Sequence, residues 1–466
     1  MSLETMTRKK GRRFPGERTT MESLPDDMLR RILSRLCDAR DVAACSPVSR
    51  RWREATAFIP SLHFLSNALQ GGGTPADADI LRMVSAAASS LEDLVIHCPF
   101  SGRSLASCLA LCGQSLRSLD LRVDLFDGGL DCVSLAKGLE SLKLWHPSLI
   151  SSPNWGLSAY GRLRRLEMVG GIVLSEHLAD VMRACPHLTD LILIRCCSEG
   201  AISIELERLE RCKLDLYLTV HCSLNLNSPR LQDLDIQGFF RIQVGHNHRL
   251  KRLSIANNEG EFHNTKITTF LSIKLKFKLN DFKCSLGNVT MVDVGKLPEL
   301  EYLSIEGQHW YWSEIRTLLR NAFEVEHLVI NIEYSGDFLE PETFPAIQLE
   351  EFFGNHRKLR KLEIHGAFFA AFQHGISPED LELEFMISSS LEELIVAVSS
   401  PLHLKEKANT LEYLLKHCVK LRRILIRISQ MVSDEKFDDF FEDIGNIRNL
   451  YCTIIHIDLP LSTVPV

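Results

Sequence analysis

The stretch LRSLDL at residues 116–121 decides the fold of this chain. It places aliphatic residues at its first, fourth and sixth positions, and the same unit recurs along most of the sequence. The units are Leu91/Leu94/Ile96, Leu116/Leu119/Leu121, Leu139/Leu142/Leu144, Leu163/Leu166/Met168, Leu188/Leu191/Leu193, Leu231/Leu234/Ile236, Leu250/Leu253/Ile255, Leu300/Leu303/Ile305, Val325/Leu328/Ile330, Leu359/Leu362/Ile364, Leu391/Leu394/Val396 and Leu421/Ile424/Ile426. The first five units begin 25, 23, 24 and 25 residues apart. This self-similarity predicts a repeat architecture.

A short strand that carries one aliphatic triplet cannot bury it alone, so neighbouring units must stack into a long core and a parallel sheet. The positions between the triplet residues then face the concave side, and segments with helical spacing, such as 175–188, cover the convex side. This pattern resembles a leucine-rich-repeat array. A weaker unit, Leu209/Cys212/Leu214, fills one gap, and a further strand is expected at 270–279, where the triplet is lost.

The sequence MESLPDDMLRRILSRL at 21–36 follows a different pattern. Leu29, Ile32, Leu33 and Leu36 fall on one face of a helix, because they recur at intervals of three and four residues. Leu24 and Pro25 precede it, and acidic residues occupy its first turn. A second helix is predicted to begin at Ser46-Pro47, with Val48 and Trp52 on one side. A module of about 40 residues cannot hide all of this apolar surface by itself.

These residues resemble the F-box, and the whole chain resembles plant F-box proteins with leucine-rich repeats. The residues that carry the likeness, and that the resemblance implies bind a Skp-family adaptor, are Leu24, Pro25, Leu29, Ile32, Leu33, Leu36, Val48 and Trp52. The segment LEYLLKHCVKLRRILIRIS (411–429) is similar to the FBD-type ending of such proteins. A second interpretation of the opening helices is an N-terminal cap on the solenoid, since terminal repeats need covering.

The expected fold class is α+β: a small all-α F-box module followed by an α/β leucine-rich-repeat solenoid with a parallel concave sheet. The expected divisions are a basic, disordered tail at 1–20, the F-box at 21–64 and the solenoid at 65–466, of which about 375–466 is FBD-like. The tail contains RKKGRR at 8–13. This run is either a nuclear import signal or a solvated end.

Net charge argues against binding to nucleic acid or to a membrane surface. The chain carries −7, and six Lys/Arg against two Glu give +4 in residues 1–20, which leaves −11 for the rest. No stretch approaches 18 apolar residues, so a spanning helix is not expected, and the basic N-terminus lacks the apolar run of a secretory signal. The expected localisation is the nucleus or the cytoplasm.

Fourteen cysteines are spread over 466 residues without a Cys-x-x-Cys pair, which indicates reduced thiols packed in a core. The spacing of Cys and His does not suggest zinc, and no nucleophile is paired with a base. We therefore expect no metal, no cofactor and no enzymatic activity.

Two groups of residues are candidates for binding a target or an anion. LSIKLKFKL (271–279) alternates apolar residues with Lys274, Lys276 and Lys278, so the lysines share one strand face, which either holds an anion in the concavity or is simply solvated. Trp145 occupies an outward strand position. Trp310, Tyr311 and Trp312 either anchor an interface or fill the convex core.

The resemblance to F-box proteins implies a substrate-receptor subunit of an SCF-type cullin-RING ubiquitin ligase. The F-box is then expected to bind the Skp-family adaptor, and through it a cullin, and the repeats to bind an unknown target protein. Two alternatives stay open. One is a sensor that holds a hormone or a polyphosphate in the concave face, and the other is a binding scaffold that supports no ubiquitination.

Overall fold

A computed structural model gives the fold. It describes residues 24–65, 77–127, 130–149, 160–198, 200–217, 222–257, 269–275, 279–286, 289–308, 310–333, 345–365, 368–369, 371–373, 388–398, 404–428, 442, 444–447, 449 and 455–458. Among these residues, no helix combines the length and the apolar character needed to cross a membrane.

Nine helices are named here from the described residues. They are α1 (Asp26–Leu33), α2 (Ala39–Cys45), α3 (Arg50–Thr56), α4 (Asp77–Ala87), α5 (Gly102–Cys112), α6 (Ser175–Ala184), α7 (Trp312–Asn321), α8 (Leu349–Asn355) and α9 (Leu404–His417).

The strands, which alternate with these helices and with loops, are numbered in chain order. The first fourteen are β1 (Ser61–Leu65), β2 (Asp93–His97), β3 (Phe100–Ser101), β4 (Ser118–Arg122), β5 (Phe126–Asp127), β6 (Ser141–Trp145), β7 (Ser148–Leu149), β8 (Arg165–Val169), β9 (Ile172–Val173), β10 (Asp190–Cys196), β11 (Ala201–Ile204), β12 (Arg211–Leu216), β13 (Ser223–Leu226) and β14 (Asp233–Gln237). The rest are β15 (Arg241–Asn247), β16 (Arg252–Ala256), β17 (Thr269–Leu275), β18 (Asp281–Ser285), β19 (Val289–Val294), β20 (Tyr302–Gln308), β21 (His327–Glu333), β22 (Ile347–Gln348), β23 (Lys361–His365), β24 (Phe372–Gln373), β25 (Glu393–Val398), β26 (Arg423–Ile428) and β27 (Ile455–Asp458).

One sheet of sixteen parallel strands runs through the molecule. Its order is β1-β2-β4-β6-β8-β10-β12-β14-β16-β18-β20-β21-β23-β25-β26-β27. Equivalent triplet residues lie opposite each other, as Leu94 pairs with Leu119 and Leu119 with Leu142. These leucines are fully buried. Burial of each such side chain stabilises the fold by about 1.5–3 kcal/mol, which explains why the units stack in this register. The predicted α/β solenoid is confirmed.

The return segments between the strands of this sheet change character along the chain. Helices α4, α5 and α6 cover the first units, and Ser175–Ala184 agrees with the helix predicted within 175–188. A second parallel sheet, β11-β13-β15-β17-β19, replaces helices in the middle units. Among the described residues, helices and return strands lie on one side of the sixteen-stranded sheet, and we call the other side the concave face.

The strand expected at 270–279 is not part of the sixteen-stranded sheet. Strand β17 (Thr269–Leu275) belongs to the second sheet, and the unit of the main sheet is β18, with Leu279, Phe282 and Cys284 buried in the triplet positions. A phenylalanine and a cysteine in place of two aliphatic residues concealed this unit in the sequence. The weaker unit Leu209/Cys212/Leu214 is confirmed, because β12 pairs with β10 and β14.

The first strand of the main sheet begins inside the segment that sequence analysis gave to the F-box. Ile59, Leu62 and Phe64 are buried as a complete triplet, and β1 pairs with β2 from Ser61 to Leu65. The free edge of β1 is covered by the preceding module, since the amide of His63 donates to the carbonyl of Cys37 at 2.7 Å. An edge strand covered in this way is protected from pairing with other chains.

Candidate protein-interaction surfaces

Helix α1 is shorter than its apolar pattern suggested. It begins after Pro25, whose carbonyl accepts the amides of Met28 and Leu29 at 3.0 Å, and it ends at Leu33. Leu36 therefore lies beyond the helix and is half-buried, so the prediction that it continues the helical stripe is wrong. Asp26 and Asp27 occupy the first turn, where the helix dipole favours acidic side chains.

The predicted start of the second helix at Ser46-Pro47 is also wrong. Ser46 ends helix α2, and Ser49 caps helix α3 by accepting the amide of Trp52 at 3.3 Å. Ser49, and not Ser46, is the N-cap because its side chain accepts the amide three residues further along the chain, as an N-cap residue does. Arg51 then joins α3 to α1, with its Nε 2.6 Å from Oδ1 of Asp26.

The eight residues predicted to bind the adaptor divide into three groups by exposure. Leu29, Leu33 and Trp52 are buried inside the chain, so they hold the module together and offer no surface to a partner. Pro25, Ile32 (37% exposed) and Val48 (58% exposed) face solvent, and Leu24 and Leu36 are half-buried. The stripe divides because a single helix face cannot pack inward against α3 and outward against a partner.

Two exposed apolar residues of this module were missed in the sequence. Met28 is 46% exposed on α1 beside Pro25 and Ile32, and Phe58 follows α3 with the guanidinium of Arg30 4.1 Å from its ring centroid. An apolar residue close to a Pro-capped helix start is the signal that could have identified Met28. We call the exposed set Pro25, Met28, Ile32 and Val48 the docking surface.

The concave face is polar and its charges alternate in sign from strand to strand. Along the first row of positions, the register brings together Arg165, Asp190, Arg211, Asp233, Arg252 and Asp281. Nε of Arg252 lies 2.7 Å from Oδ1 of Asp233, and Nζ of Lys213 lies 2.8 Å from Oδ2 of Asp235 in the next row. These side chains line a shallow depression of about 380 Å³. The positive charges of these side chains are therefore neutralised by carboxylates of the protein itself.

Glu167 is a buried carboxylate at the start of this charged region, only 9% exposed. Its two carboxylate oxygens accept hydrogen bonds from Nζ of Lys143 and from Nη2 of Arg165, each at 2.8 Å. Burial acts to raise the pKa of Glu167, but the hydrogen bonds and charges of these two cations outweigh it and hold the pKa below its usual value.

Trp145 lies in the outward position that the sequence predicted, at the end of β6. Its Nε1 donates to Oδ1 of Asp120 at 2.9 Å, and the same oxygen lies 2.8 Å from Nε2 of His97. Nζ of Lys143 lies 4.6 Å from the ring centroid. The tryptophan is therefore held in one orientation and remains partly exposed. The partners Asp120 and His97 were missed because they come from two other units and meet only in register.

The structure separates the three aromatic residues that follow β20. Trp310 is buried, and its Nε1 donates to the carbonyls of Leu286 and Glu306 at 2.8 and 3.1 Å, so it fills the core and is not an interface anchor. Trp312 packs against the core, with its ring 6.1 Å from that of Phe368. Tyr311 alone is well exposed.

The strand that contains Lys274 belongs to the second sheet and not to the sixteen-stranded sheet that forms the concave face. Lys274 lies on β17 in the second sheet, and its side chain, like all of Lys276 and Lys278, falls outside the described residues. Alternation of lysine with apolar residues suits a strand of either sheet. The sequence alone therefore could not assign residues 271–279 to one of the two sheets.

The cysteines that the structure describes are free thiols, and most are buried. Burial raises the pKa of Cys98 and of Cys112 to about 11, and that of Cys185 to about 12. A protonated thiol inside a core is a poor nucleophile. Within the described part of the chain, His, Cys, Asp and Glu form no cluster that could hold a metal ion.

A three-helix module with an outward apolar surface, joined without a gap to a repeat sheet with a free face, defines a class of protein built for contact with other proteins. Residues 21–62 match the F-box-like family profile. The chain is 40% identical over 450 residues to F-box protein At1g10780 of Arabidopsis thaliana, covering 94% of this chain and 100% of that protein. The chain therefore belongs to the F-box protein family.

Proposed function

We propose that this protein is the substrate-receptor subunit of an SCF-type cullin-RING ubiquitin ligase. Membership of the F-box family implies an adaptor role, and the docking surface is the observation that carries the proposal. Its residues remain exposed after the module has packed Leu29, Leu33 and Trp52 inward. Exposed apolar side chains on one small module favour burial against a partner.

In this proposal the docking surface binds a Skp-family adaptor, which connects the protein to a cullin, and the concave face binds the target. The protein accelerates transfer by holding its target close to the charged conjugating enzyme, so it needs no reactive residue of its own. The buried, protonated thiols agree with this role. The nucleus or the cytoplasm is the proposed location.

The paired cations of the described concave face do not favour the alternative of an anion sensor. Arg211 lies beside Asp190, Arg252 beside Asp233 and Lys213 beside Asp235, so a polyphosphate would have to displace internal carboxylates. Whether Lys274, Lys276 and Lys278 bind an anion stays a prediction.

Adaptor affinity tests the proposal. The double variant Ile32→Glu/Val48→Glu places two charges on the docking surface, and we expect binding to a Skp-family adaptor, measured by calorimetry, to weaken at least about 100-fold, or about 2.7 kcal/mol. Leu111→Glu is the matched control, because Leu111 is 52% exposed on α5, away from the module. Equal affinity in both variants would rule out the docking surface. Circular dichroism of each variant checks that the sheet is intact.

A further inference from the structure

An apolar island interrupts the charged concave face. Trp145, Val169 and Ile194 lie opposite one another on β6, β8 and β10, and Ile192 lies beside Ile194 on the same face. All four are partly exposed. Neighbouring strands are about 4.8 Å apart, so the row from Trp145 to Ile194 spans about 10 Å, enough for three or four residues of an extended peptide.

The anchor of this island is organised in advance. The Asp120 carboxylate fixes the indole through Nε1, and Lys143 covers one ring face. A partner that binds the free part of the ring would therefore lose little side-chain entropy at this position. Tryptophan, tyrosine and arginine are the residues that most often dominate binding energy, and Tyr217 and Arg195 border the same island.

The border of the island is the one place in the described chain where residues other than glycine adopt a left-handed backbone. His146 has φ of 51° and Arg195 has φ of 53°, and Gly170, the residue after β8, has φ of 69°. Such conformations cost about 1–3 kcal/mol and concentrate at functional sites. The backbone turn at Arg195 leaves its side chain exposed, with Cζ 5.7 Å from the Tyr217 ring centroid.

The charges around the island leave one exposed cation without a carboxylate. Lys143 is paired with Glu167, and Arg122 with Asp124, whereas Arg195 forms no ion pair with any residue that the structure describes. Asp215 ends the row beside Ile194 but is half-buried, while Arg195 is exposed. Arg195 is therefore the exposed cation at the border of the island, and Asp215 is the carboxylate that shares the row of Ile194.

A second apolar group on the concave face provides a comparison. Val329 and Ile395 occupy the middle row near the other end of the sheet and are only 7% and 3% exposed. The Arg427 side chain reaches across β25 to Glu363, so that region is covered by the protein itself. No such ion pair among the described residues crosses the island around Trp145, and its side chains are partly exposed.

We propose that the island binds an extended, aliphatic segment of the target protein that carries a carboxylate opposite Arg195. Aliphatic side chains of the segment pack on Val169, Ile192 and Ile194 against the edge of Trp145. The acidic group pairs with the guanidinium of Arg195 at the border. This inference rests on the proposed function, because it names the class of segment that the receptor selects.

Selection from a phage-displayed library of random 12-residue peptides on the immobilised full-length chain tests the proposal. We expect enriched peptides to contain aliphatic residues within a four-residue window beside Asp or Glu. Affinity of the best peptide, measured by fluorescence anisotropy, should fall at least about 10-fold in Trp145→Ala and in Val169→Glu. Tyr311→Ala is the control, since Tyr311 is an exposed aromatic residue outside the island.

Reversing the charge at residue 195 tests the proposal more directly than removing the island side chains does. Selection on Arg195→Glu should replace acidic peptides with basic ones, while Asp215→Asn should leave the acidic preference intact. Peptides that are basic on the unaltered chain, that bind Trp145→Ala equally well, or that are not enriched at all would overturn the proposal. Adaptor affinity measured on the same variants separates the two claims: it should not change when the island is altered, and its loss in docking-surface variants should leave peptide selection unaffected.

Discussion

Arg427 and Glu363 form an ion pair across a strand that separates them: Nη1 of Arg427 lies 2.9 Å from Oε1 of Glu363, and β25 runs between their strands. Ile395 on β25 lies in register with Glu363 and is almost fully buried, although it points to the concave face. The ion pair therefore closes over an aliphatic side chain that would otherwise be exposed.

Removal of this pair should loosen the last units of the sheet. Arg427→Ala takes away both the charge and the alkyl chain beside Ile395, and we expect a loss of about 1 kcal/mol. Hydrogen exchange of the β25 and β26 amides measures it. Arg423→Ala is the control, because Arg423 pairs with Glu393 on the adjacent strand at 3.0 Å and crosses nothing. An equal effect of both substitutions would contradict the covering role.

Substitution by glycine should stabilise the protein at the two left-handed residues of the island border, whereas it destabilises most surface positions. Arg195→Gly and His146→Gly relieve a backbone conformation that L-residues resist, and we expect each to gain about 0.5–1 kcal/mol of unfolding free energy in urea. Gly170→Ala should instead lose stability, because its added Cβ would lie 2.7 Å from Nδ1 of His146. Destabilisation by both glycine variants would show that side-chain contacts outweigh the strain.

The stability contributed by Glu167 should depend on pH. Its pKa in the folded protein is lowered, so the contribution is complete above the ordinary glutamate pKa and is lost as pH falls through the folded value. Glu167→Gln should therefore reduce stability at pH 7 and make progressively less difference in acid. Urea unfolding of both proteins between pH 3 and pH 7 measures the difference. Glu140→Gln serves as a control, since Glu140 is paired at the exposed surface.

Thiol reactivity should follow burial. Cys37 is exposed, whereas Cys108 and Cys112 are buried and the pKa of Cys108 is raised to about 12. Native alkylation by iodoacetamide at pH 8, followed by mass spectrometry, should modify Cys37 long before the two cysteines of α5. Comparable rates would indicate that α5 opens readily, or that one of its thiols is activated.

The main sheet could be predicted because its signal is repeated. Each unit carries Leu, Ile, Val or Met in the same three positions, and a single substitution such as Cys212 does not hide the pattern. The unit with Phe282 and Cys284 was missed, since two of its three triplet residues are not aliphatic. The return segments could not be predicted in the same way, because either a helix or a strand can cover the convex side.

Site residues were harder to predict than the fold, for a physical reason. Periodicity shows which residues share a helix face, but it does not show how much of that face the protein keeps for itself. Leu33 and Ile32 are adjacent in sequence and equally apolar, yet one is buried and the other is exposed. The network of Trp145, Asp120 and His97 joins three units, so only the register of the strands reveals it.

The direct connection of the helical module to strand β1 fixes the distance from the module to every other strand of the sheet. Because the three-helix module of α1, α2 and α3 is followed directly by β1, distance from that module along the sheet can be counted in strands, which are about 4.8 Å apart. Trp145 lies on the fourth strand, about 14 Å along the sheet from β1. If the protein is the receptor proposed above, gain or loss of one unit between them would shift a bound target by one strand width, so the number of units would set which part of the target is presented for transfer.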